Sequence, residues 1–464
     1  AELRLLHDAG PAPPLPNANS VKLATVPQSI RANRAASADV DAAIPAPLNA
    51  TPDCQPRPDL SQPRPDLWPD LWAGSFVWPD LLKRTASASP PTGTESMSAT
   101  RGCDKSVLLN VPRSETQSPQ RKVERLIADD PLLAPYESAL LRRIRKTAVM
   151  EARLTETTTG LAEFASGHEY FGLHLRDGAW TLREWAPHAT AIHLKGPFSN
   201  WEAIPEYALS RVDHGVWELR LGADALAHGD AYRLEVAWPG GQGDRLPAWV
   251  RRVVNGAGSG SFNAEVWRPP QPYEWRHAPP SRPEGPLLIY ETHVGMAQEE
   301  PKVGTYAEFE RYVLPRIRDA GYGAIQIMAL AEHPYYASFG YQISSFFACS
   351  SRFGTPAELK SLIDQAHGLG LLVLMDLVHS HAARNEVEGI SRQDGTESLY
   401  FHEGARGEHV AWRSRCFDYG KPDVLHFLLS NCRFWMDEYR VDGFRFDGVT
   451  SMLYLDHGLG KVFT

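Results

Sequence analysis

The sequence predicts a multidomain protein in which an all-β sandwich precedes a parallel sheet that alternates with helices. Three observations lead to this fold class. A Pro-, Ala- and Ser-rich stretch occupies residues 1–118, short apolar runs between turn residues fill 168–268, and longer apolar runs alternate with amphipathic segments from residue 285 onward. The first pattern is typical of disorder, the second of a β-sandwich and the third of strand–helix repeats.

Length, composition and charge limit the class of protein. The 464 residues leave room for two or three domains, and 43% apolar with 22% charged residues is ordinary for a soluble globular chain. The net charge of −9 argues against a nucleic-acid or anionic-membrane partner. No apolar run approaches the roughly 18 residues of a membrane span, and the first ten residues show no secretory signal.

The cysteines indicate a reducing compartment. They are scattered, odd in number and without a CxxC pair, at Cys54, Cys103, Cys349, Cys416 and Cys432. Scattered thiols of this kind are typical of reduced, intracellular proteins. We therefore expect a cytoplasmic location, with a plastid as the alternative.

The leader contains an imperfect repeat. QPRPDL stands at 55–60 and again at 62–67, and WPDL follows at 68–71 and 78–81. Dense prolines remove backbone donors and prevent regular helix or sheet, so residues 1–118 are predicted to be a disordered leader. Two alternatives stay open, namely a Pro-rich recognition segment and sequence upstream of a true start at Met97.

A helical lead-in is predicted over 119–165. Apolar residues recur at helical spacing in 121–147, and Asp129 or Asp130 before Pro131 is a typical helix start. The next domain, 166–268, is predicted to be an immunoglobulin-like sandwich of about seven strands, from runs such as FGLHL, WTLREW and YRLEV.

Tryptophans are unusually frequent in the sandwich segment: Trp180, Trp185, Trp201, Trp217, Trp238 and Trp249. Aromatic faces stack on sugar rings, so carbohydrate binding is one interpretation of this group. Packing in the core or at a domain interface is the other interpretation. PAWVRR at 247–252, before a Pro-rich connector, is predicted to be a domain junction.

Strands and helices alternate in the last domain, 269–464. Apolar strands are predicted at 287–294, 324–330, 371–378 and 443–448, with helices at 306–321, 355–370 and 424–439 between them. Both a (β/α)₈ barrel and an open doubly wound sheet fit this alternation. No glycine-rich phosphate loop follows the first strand, which disfavours the nucleotide-binding version.

Polar residues follow these strands, where the catalytic groups of a barrel lie. Arg445 and Asp447 are two apart on the last strand and therefore share a face. The other residues at this rim are Glu291, Thr292, His293, Glu332, His333, Tyr335, Tyr336, the segment FGYQ (339–342) with Tyr341, Asp376, His379 and His381. A carboxylate with an arginine, histidines and tyrosines is typical of a sugar-processing site. A metal site of Asp376, His379 and His381 is the alternative.

Several long motifs carry a family resemblance. DLVHSH (376–381) and GFRFDGVTS (443–451) resemble two signatures of the α-amylase superfamily, glycoside hydrolase family 13. Residues 332–364 and 430–454, together with PAWVRR, are similar to the eukaryotic-type 1,4-α-glucan (glycogen or starch) branching-enzyme family. The sandwich resembles a module of carbohydrate-binding family 48. The resemblance therefore implies a (β/α)₈ TIM barrel after the sandwich.

The resemblance implies roles for the residues on the last two strands. Asp447 matches the catalytic nucleophile that forms a glucosyl ester. Arg445 matches the residue that keeps this carboxylate charged and oriented. Asp376 matches a substrate-site aspartate that mainly braces Arg445.

Three further residues match substrate-binding positions. His381 would bond sugar hydroxyls beside the cleavage point, and Tyr341 would stack on the sugar ring in the same subsite. His333 belongs to a family-typical run and would line the cleft. Asp442 also matches the family, but it lies about 16 Å from Asp447 along the strand and is expected to be structural.

The implied reaction is a retaining double displacement that uses no cofactor or metal. It cleaves an α-1,4-glucan and transfers the released segment to a 6-hydroxyl, which makes an α-1,6 branch in glycogen or starch biosynthesis. The α-glucan is the implied partner, and no nucleic acid or membrane is expected. Two other functions stay open: a debranching or amylolytic hydrolase, and a non-catalytic glucan-binding protein.

The sequence departs from the family in its extent. The resemblance implies an acid/base glutamate after a fifth strand and a His-Asp pair after a seventh, but only strands one to four are found in 269–464. We therefore expect the first half of the barrel, truncated at the C-terminus. We also expect this chain to be a fragment that is inactive alone, because half a barrel exposes two strand edges.

Overall fold

The structure, a computed structural model, describes residues 118–255 and 261–460. The predicted leader with its repeats, Met97, Cys54 and Cys103 lie outside the described residues. The described part contains a helical segment, a two-sheet sandwich and a four-stranded parallel sheet with its helices. Among the described residues, no helix combines the length and the apolarity needed to cross a bilayer.

The helical segment runs from residue 119 to 170. Its α-helices are α1 (Pro119–Asp129), α2 (Glu137–Leu154), α3 (Leu161–Phe164) and α4 (Gly167–Tyr170), with a 3₁₀ turn at Pro131–Tyr136. The predicted cap is confirmed at Asp130, whose side chain accepts a hydrogen bond from the backbone N–H of Leu132 at 3.0 Å. Asp129 is instead the last residue of α1.

The sandwich consists of two antiparallel sheets. Its strands are β1 (Gly172–Arg176), β2 (Ala179–Trp185), β3 (Ala191–Lys195), β4 (Ser210–Arg211), β5 (Val216–Gly222), β6 (Ala231–Trp238), β7 (Gly241–Arg245), β8 (Val253–Asn255) and β9 (Phe262–Glu265). One sheet has the order β1-β2-β5-β4, and the other has the order β3-β6-β9-β8 with β7 paired to β6. Every second residue of β2 and β6 is buried, so these faces form the sandwich core.

The tryptophans of this region have different environments. Trp180, Trp217 and Trp249 are buried, while Trp185 and Trp238 are half-buried. Packing in the core and at the interface therefore accounts for most of the group. Trp201 differs, because 40% of it is exposed.

The last domain contains a parallel sheet. The strands are β10 (Ile289–Thr292), β11 (Ala324–Ile327), β12 (Ala331–Glu332), β13 (Ser345–Cys349), β14 (Leu372–Leu377), β15 (Glu408–His409), β16 (Ser414–Arg415) and β17 (Gly443–Phe446). β10, β11, β14 and β17 pair in this order, all parallel. β12 pairs with β13 and β15 with β16 in two antiparallel hairpins.

Helices connect these strands. They are α5 (Tyr306–Glu308), a π-helical turn (Phe309–Val313), α6 (Leu314–Asp319), α7 (Pro356–Gly368), α8 (Pro422–Tyr439) and α9 (Val449–Leu453). The sequence predicts one regular helix over 306–321, but Pro315 has no N–H and its ring would clash with the carbonyl four residues earlier. The wider π turn just before Pro315 relieves that clash. The predicted Thr355 cap of α7 is confirmed.

The outer strands are less buried than the sequence predicts. Leu288, Ile289 and Tyr290 are 60%, 42% and 37% exposed, and Phe446 on β17 is 39% exposed. Among the described residues, β10 and β17 each pair with a single strand of this sheet, so one edge of each is open. The prediction of buried strands at these two positions was wrong for that reason. β11 and β14 have neighbours on both sides and are buried.

Trp249 joins the sandwich to the parallel-sheet domain. It lies between Phe171 at 5.0 Å and Phe347 at 4.6 Å, stacked on both, and Phe427 of α8 meets it edge-on at 5.0 Å. These rings come from both domains, and Trp249 is only 4% exposed. The segment 247–252, predicted as a junction, thus holds a shared aromatic core.

Replacing this ring tests the aromatic junction. We expect Trp249→Ala to lower the free energy of unfolding by about 3–5 kcal/mol, the usual cost of removing a large buried aromatic side chain. Urea denaturation followed by circular dichroism measures the change. Trp201→Ala is the matched control, because this exposed ring should contribute within about 0.5 kcal/mol. Equal losses in the two variants would contradict a stabilising role for the junction.

A buried carboxyl near the same junction predicts a pH effect. Glu184 is 0% exposed and accepts a hydrogen bond from the backbone N–H of Ala248 at 3.0 Å. Burial raises the pKa of Glu184 to about 8, although that N–H and the one of Trp185 oppose the shift. The folded state therefore holds a proton that the unfolded chain releases above its ordinary pKa of 4.5.

The stabilisation from this proton should be complete below pH 4.5 and should decline as the pH rises toward 8. Glu184→Gln keeps the shape of the side chain but cannot ionise. We therefore expect its free energy of unfolding to decline less than that of the wild type between about pH 5 and about pH 8. Urea unfolding at several pH values measures it. The exposed Glu202→Gln serves as the control. An unchanged pH slope in Glu184→Gln would contradict the assignment.

Candidate active site

The register of the parallel strands brings polar side chains together at one end of the sheet. Asp376 on β14 is the register partner of Arg445 on β17, and Gln326 on β11 is the partner of Glu291 on β10. Asp447 follows β17, and its backbone N–H donates to the carbonyl of Leu377 at 2.8 Å. These side chains all lie toward the carboxyl ends of the strands, as the sequence predicts.

Arg445 bridges two carboxylates. Its Nη1 lies 2.7 Å from Asp447 Oδ1 and 3.0 Å from Asp376 Oδ2. Partial burial opposes the charge of Arg445, but Asp376 and Asp447 outweigh burial and raise its pKa. The guanidinium therefore stays charged and fixes the position of the Asp447 carboxylate.

Asp376 is fully buried and accepts three hydrogen bonds. It accepts hydrogen bonds from Tyr341 Oη at 2.7 Å and Gln326 Nε2 at 2.9 Å, in addition to Arg445. Burial raises the pKa of Asp376, although Tyr341 and Arg445 oppose that shift. A buried carboxylate with these donors positions its neighbours and leaves little of itself for a ligand.

His381 is fixed in one tautomer. Its Nε2 lies 2.8 Å from the Tyr341 carbonyl, which can only accept, so Nε2 carries the hydrogen. Its Nδ1 then accepts from Ser380 Oγ at 2.9 Å. Burial lowers the pKa of His381, so the ring is neutral near pH 7. His381 and Tyr341 are thus held together beside Asp376.

A cavity opens over this group. It has a volume of about 610 Å³ and is lined by Tyr335, Ser338, Tyr341, Gln342, His381, Trp412 and Asp447. Asp447 supplies the carboxylate among these lining residues, and its side chain is 23% exposed whereas that of Asp376 is 0% exposed. The accessible and the bracing carboxylate are therefore distinct side chains.

Gly448 allows the chain to turn after Asp447. Its φ is +64°, and a Cβ there would come within 2.5 Å of Ser380 Oγ and 3.1 Å of the Trp412 ring. Any larger residue would be strained by its φ and would push on the cavity wall.

Two predicted histidines lie outside the cavity lining. His333 is fully buried, its Nδ1 lies 3.0 Å from the Ala331 carbonyl, and burial lowers its pKa to about 4. His379 bonds to Asn431 Oδ1 at 2.9 Å. His379 Nε2 and both nitrogens of His381 are bonded to separate partners, and among the described residues the alternative metal set with Asp376 does not bring its ligand atoms together.

Asp442 stands at the start of β17, away from the cavity. Its Oδ2 accepts from His367 Nε2 at 2.9 Å and from the backbone N–H of Val373 at 2.7 Å. These contacts join α7, β14 and β17, which is the structural role expected from the sequence.

Another group has ligand atoms close enough for a metal ion. His168, Glu169 and Asp437 have one such atom each within 4.8 Å of the others. Arg433 pairs with Asp437 at 2.9 Å and with Glu169 at 3.5 Å. This guanidinium already supplies the positive charge, so the cluster is better described as an ion-pair network.

Three residues of the site, Gln326, Ser338 and Trp412, were missed by sequence reasoning. Gln326 stands in an apolar strand. A lone polar residue at such a position was the signal that could have marked it as part of the site. Gln342 and Trp412 come together through a bond from Gln342 Nε2 to the Trp412 carbonyl at 3.1 Å. Trp412 lies in a segment without regular periodicity, and no local pattern marks it.

Adding one methyl group tests the turn at Gly448. An alanine in the left-handed region costs about 1–2 kcal/mol. We expect Gly448→Ala to lose more stability than this, because the methyl group also meets Ser380 and Trp412. Gly178→Ala is the matched control, since its φ is +74° and nothing lies within 4 Å of a Cβ there. Urea denaturation measures both variants. Equal destabilisation would show that the cavity wall yields without cost.

Comparisons with known proteins agree with this architecture. Residues 170–250 match the family model of carbohydrate-binding module 48 (isoamylase N-terminal domain), and residues 313–414 match that of the α-amylase catalytic domain. Among solved structures, a pullulanase from Paenibacillus barengoltzii superposes with a TM-score of 0.51 at 18% identity, covering 60% of this chain and 48% of that one. At such identity the likeness concerns the fold alone. The order of the two family-model matches confirms the predicted sandwich followed by an amylase-type domain.

Curated relatives are more similar in sequence. The 1,4-alpha-glucan-branching enzyme of Aspergillus oryzae is 48% identical over 344 residues, which are 72% of this chain and 50% of that protein. The chloroplastic/amyloplastic branching enzyme 2-2 of Arabidopsis thaliana is 48% identical over 342 residues, covering 72% of this chain and 42% of that protein. The chain spans about half the length of the curated relatives it matches. On this evidence residues 170–250 form a domain of the carbohydrate-binding module 48 type, residues 313–414 belong to a domain of the α-amylase catalytic type, and the chain as a whole is similar to the 1,4-alpha-glucan-branching enzymes.

Proposed function

We propose that this chain contributes the nucleophile half of a 1,4-α-glucan branching site, with an α-1,4-glucan as the substrate. The observation that carries the proposal is the accessible Asp447 carboxylate, which Arg445 holds at 2.7 Å and which lines a cavity together with tyrosine and histidine side chains. The similarity to branching enzymes at 48% identity supports the substrate class.

In the first step, Asp447 attacks the anomeric carbon of a glucose unit. The Oδ–C1 bond forms, the glycosidic C1–O bond breaks, and the leaving oxygen takes a proton from an acid. The described residues that line the cavity include no second carboxylate, so we assign no residue to that acid. Arg445 orients the attacking oxygen and balances its charge before the bond forms.

The neighbouring groups serve to position the sugar. We propose that Tyr341 and His381 contact the glucose unit that reacts, since both line the cavity with Asp447. Asp376 acts through them and through Arg445, because its oxygens are occupied by Tyr341, Gln326 and Arg445. His333 is buried away from the cavity lining, and we propose no contact with substrate for it.

In the second step, an oxygen nucleophile bonds to C1, the C1–Oδ bond breaks and restores the Asp447 carboxylate, and the nucleophile gives its proton to the conjugate base of the acid used in the first step. Attack by the 6-hydroxyl of another glucan chain yields an α-1,6 branch, whereas attack by water yields hydrolysis. Preference for the sugar requires that an acceptor chain is bound close to the ester. We propose that the sandwich, which matches a carbohydrate-binding module over 170–250, adds binding surface for the glucan.

We further propose a cytosolic location. Cys349, Cys416 and Cys432 are free thiols, which supports a reducing compartment. A plastid is the alternative, and the Arabidopsis relative is named as chloroplastic/amyloplastic.

A trapping experiment tests the nucleophile. A ring-fluorinated α-glucosyl fluoride carries a leaving group that needs no proton donor, so its C1–F bond can break without the acid. We expect an ester between Asp447 and C1, release of one fluoride per labelled chain, and slow turnover of that ester. Peptide mass spectrometry locates the label. Asp447→Asn should remain unlabelled, because an amide is a poor nucleophile.

Asp437→Asn is the matched control, since this exposed aspartate lies on α8 outside the cavity. Label on another residue, or equal labelling of Asp447→Asn, would overturn the proposed mechanism. For a form of the protein that also carries the proton-donating acid, amylose products separate the reaction types. Branching lowers the iodine colour with few new reducing ends, whereas hydrolysis releases reducing ends as the colour falls.

A further inference from the structure

We propose that Trp412 is the platform on which a glucose ring of the glucan chain stacks inside the cavity, next to the ring that reacts. This inference rests on the proposed function and names a further specificity-determining residue of the same site. The observations that carry it are the fixed position of the Trp412 ring, its exposure and its place in the cavity wall with Asp447.

A tight hairpin carries Trp412. β15 (Glu408–His409) pairs with β16 (Ser414–Arg415), and the loop 410–413 between them is closed by a bond from the Arg413 N–H to the His409 carbonyl at 2.9 Å. The residue after Trp412, Arg413, has a φ of +50°, which turns the chain back. The backbone at Trp412 is therefore held by the pairing of β15 with β16 and by the turn at Arg413.

His409 fixes one face of the indole. The two rings are stacked with centroids 3.9 Å apart and planes 3° from parallel. The backbone N–H of Trp412 donates to His409 Nδ1 at 3.2 Å, so His409 Nε2 carries the hydrogen and donates to Ser451 Oγ at 2.9 Å. Burial, with His457 and His381 nearby, lowers the pKa of His409 to about 4, which keeps this neutral tautomer.

The edges of the indole are held as well. The His381 ring lies 4.9 Å away, and the Gly448 backbone approaches so closely that a Cβ there would be 3.1 Å from the ring. Despite these contacts, 39% of Trp412 remains exposed, and the side chain lines the cavity with Asp447, Tyr335 and Tyr341. Because His409 covers one face, the opposite face is the one left for a ligand to contact.

A flat, immobile aromatic face suits a pyranose ring. The ring C–H groups of glucose form an apolar face that packs on an aromatic ring and releases water. Because Trp412 is already ordered in the free protein, little side-chain entropy is lost when a sugar binds. Packing of the hairpin alone would not require an exposed indole face beside the nucleophile.

Binding of maltoheptaose to the full chain tests the platform. We expect Trp412→Ala to raise the dissociation constant about tenfold, as measured by isothermal titration calorimetry. Trp412→Phe keeps an aromatic face, so its dissociation constant should stay within about threefold of the wild-type value. Val410→Ala is the matched control, because Val410 is 75% exposed on the same loop and does not line the cavity. It should bind as the wild type does.

A direct observation of the ring keeps the test independent of how the variants fold. In nitrogen–proton correlation spectra, the indole N–H signal of Trp412 is the one missing from Trp412→Phe, and maltoheptaose should shift it in the wild type. An unmoved signal, or wild-type affinity in Trp412→Ala, would overturn the platform and leave the proposed function standing. Failure of the wild type to bind maltoheptaose at all would overturn both.

Discussion

The parallel pairing of β14 with β17 places Asp376 directly beside Arg445, and the candidate site depends on that register. Because side chains alternate along a strand, a shift by one residue would turn Arg445 away from Asp376 and toward the opposite face. Asp447 lies two residues beyond Arg445, on the same face, and therefore meets the same guanidinium. One pairing thus sets the positions of both carboxylates.

A single guanidinium between two carboxylates leaves one negative charge uncompensated, and desolvation would make that costly. The structure divides the two acids accordingly. Asp376 is buried, and hydrogen bonds from Tyr341 and Gln326 offset the loss of water. Asp447 keeps part of its surface in the cavity, so the acid that can react is also the one that stays hydrated. Burial thus distinguishes two carboxylates that share Arg445.

Local patterns in the sequence predicted the parts of the molecule that depend on local physics. The cap at Asp130, the cap at Thr355, the order of strands and helices, and the shared face of Arg445 and Asp447 all follow from neighbouring residues. Trp412 could not be found this way, because its neighbour His381 is distant in sequence and no local pattern marks the segment. Gln326 carried one local signal, a lone polar residue in an apolar strand, but its partner Asp376 is distant in sequence. The exposure of β10 and β17 depends on how many strands flank each of them, which no local pattern encodes.

Gly448 connects the chemistry of the strand to the shape of the cavity. It directly follows Asp447, and its left-handed backbone fits between Ser380 and the Trp412 ring. Ser380 in turn bonds His381, so the exit from β17 contacts both the histidine and the tryptophan of the wall. A displacement of β17 would therefore move Asp447 and the cavity wall together. The distance between the attacking carboxylate and a sugar bound on that wall is consequently set by backbone packing, which is more rigid than any single side chain.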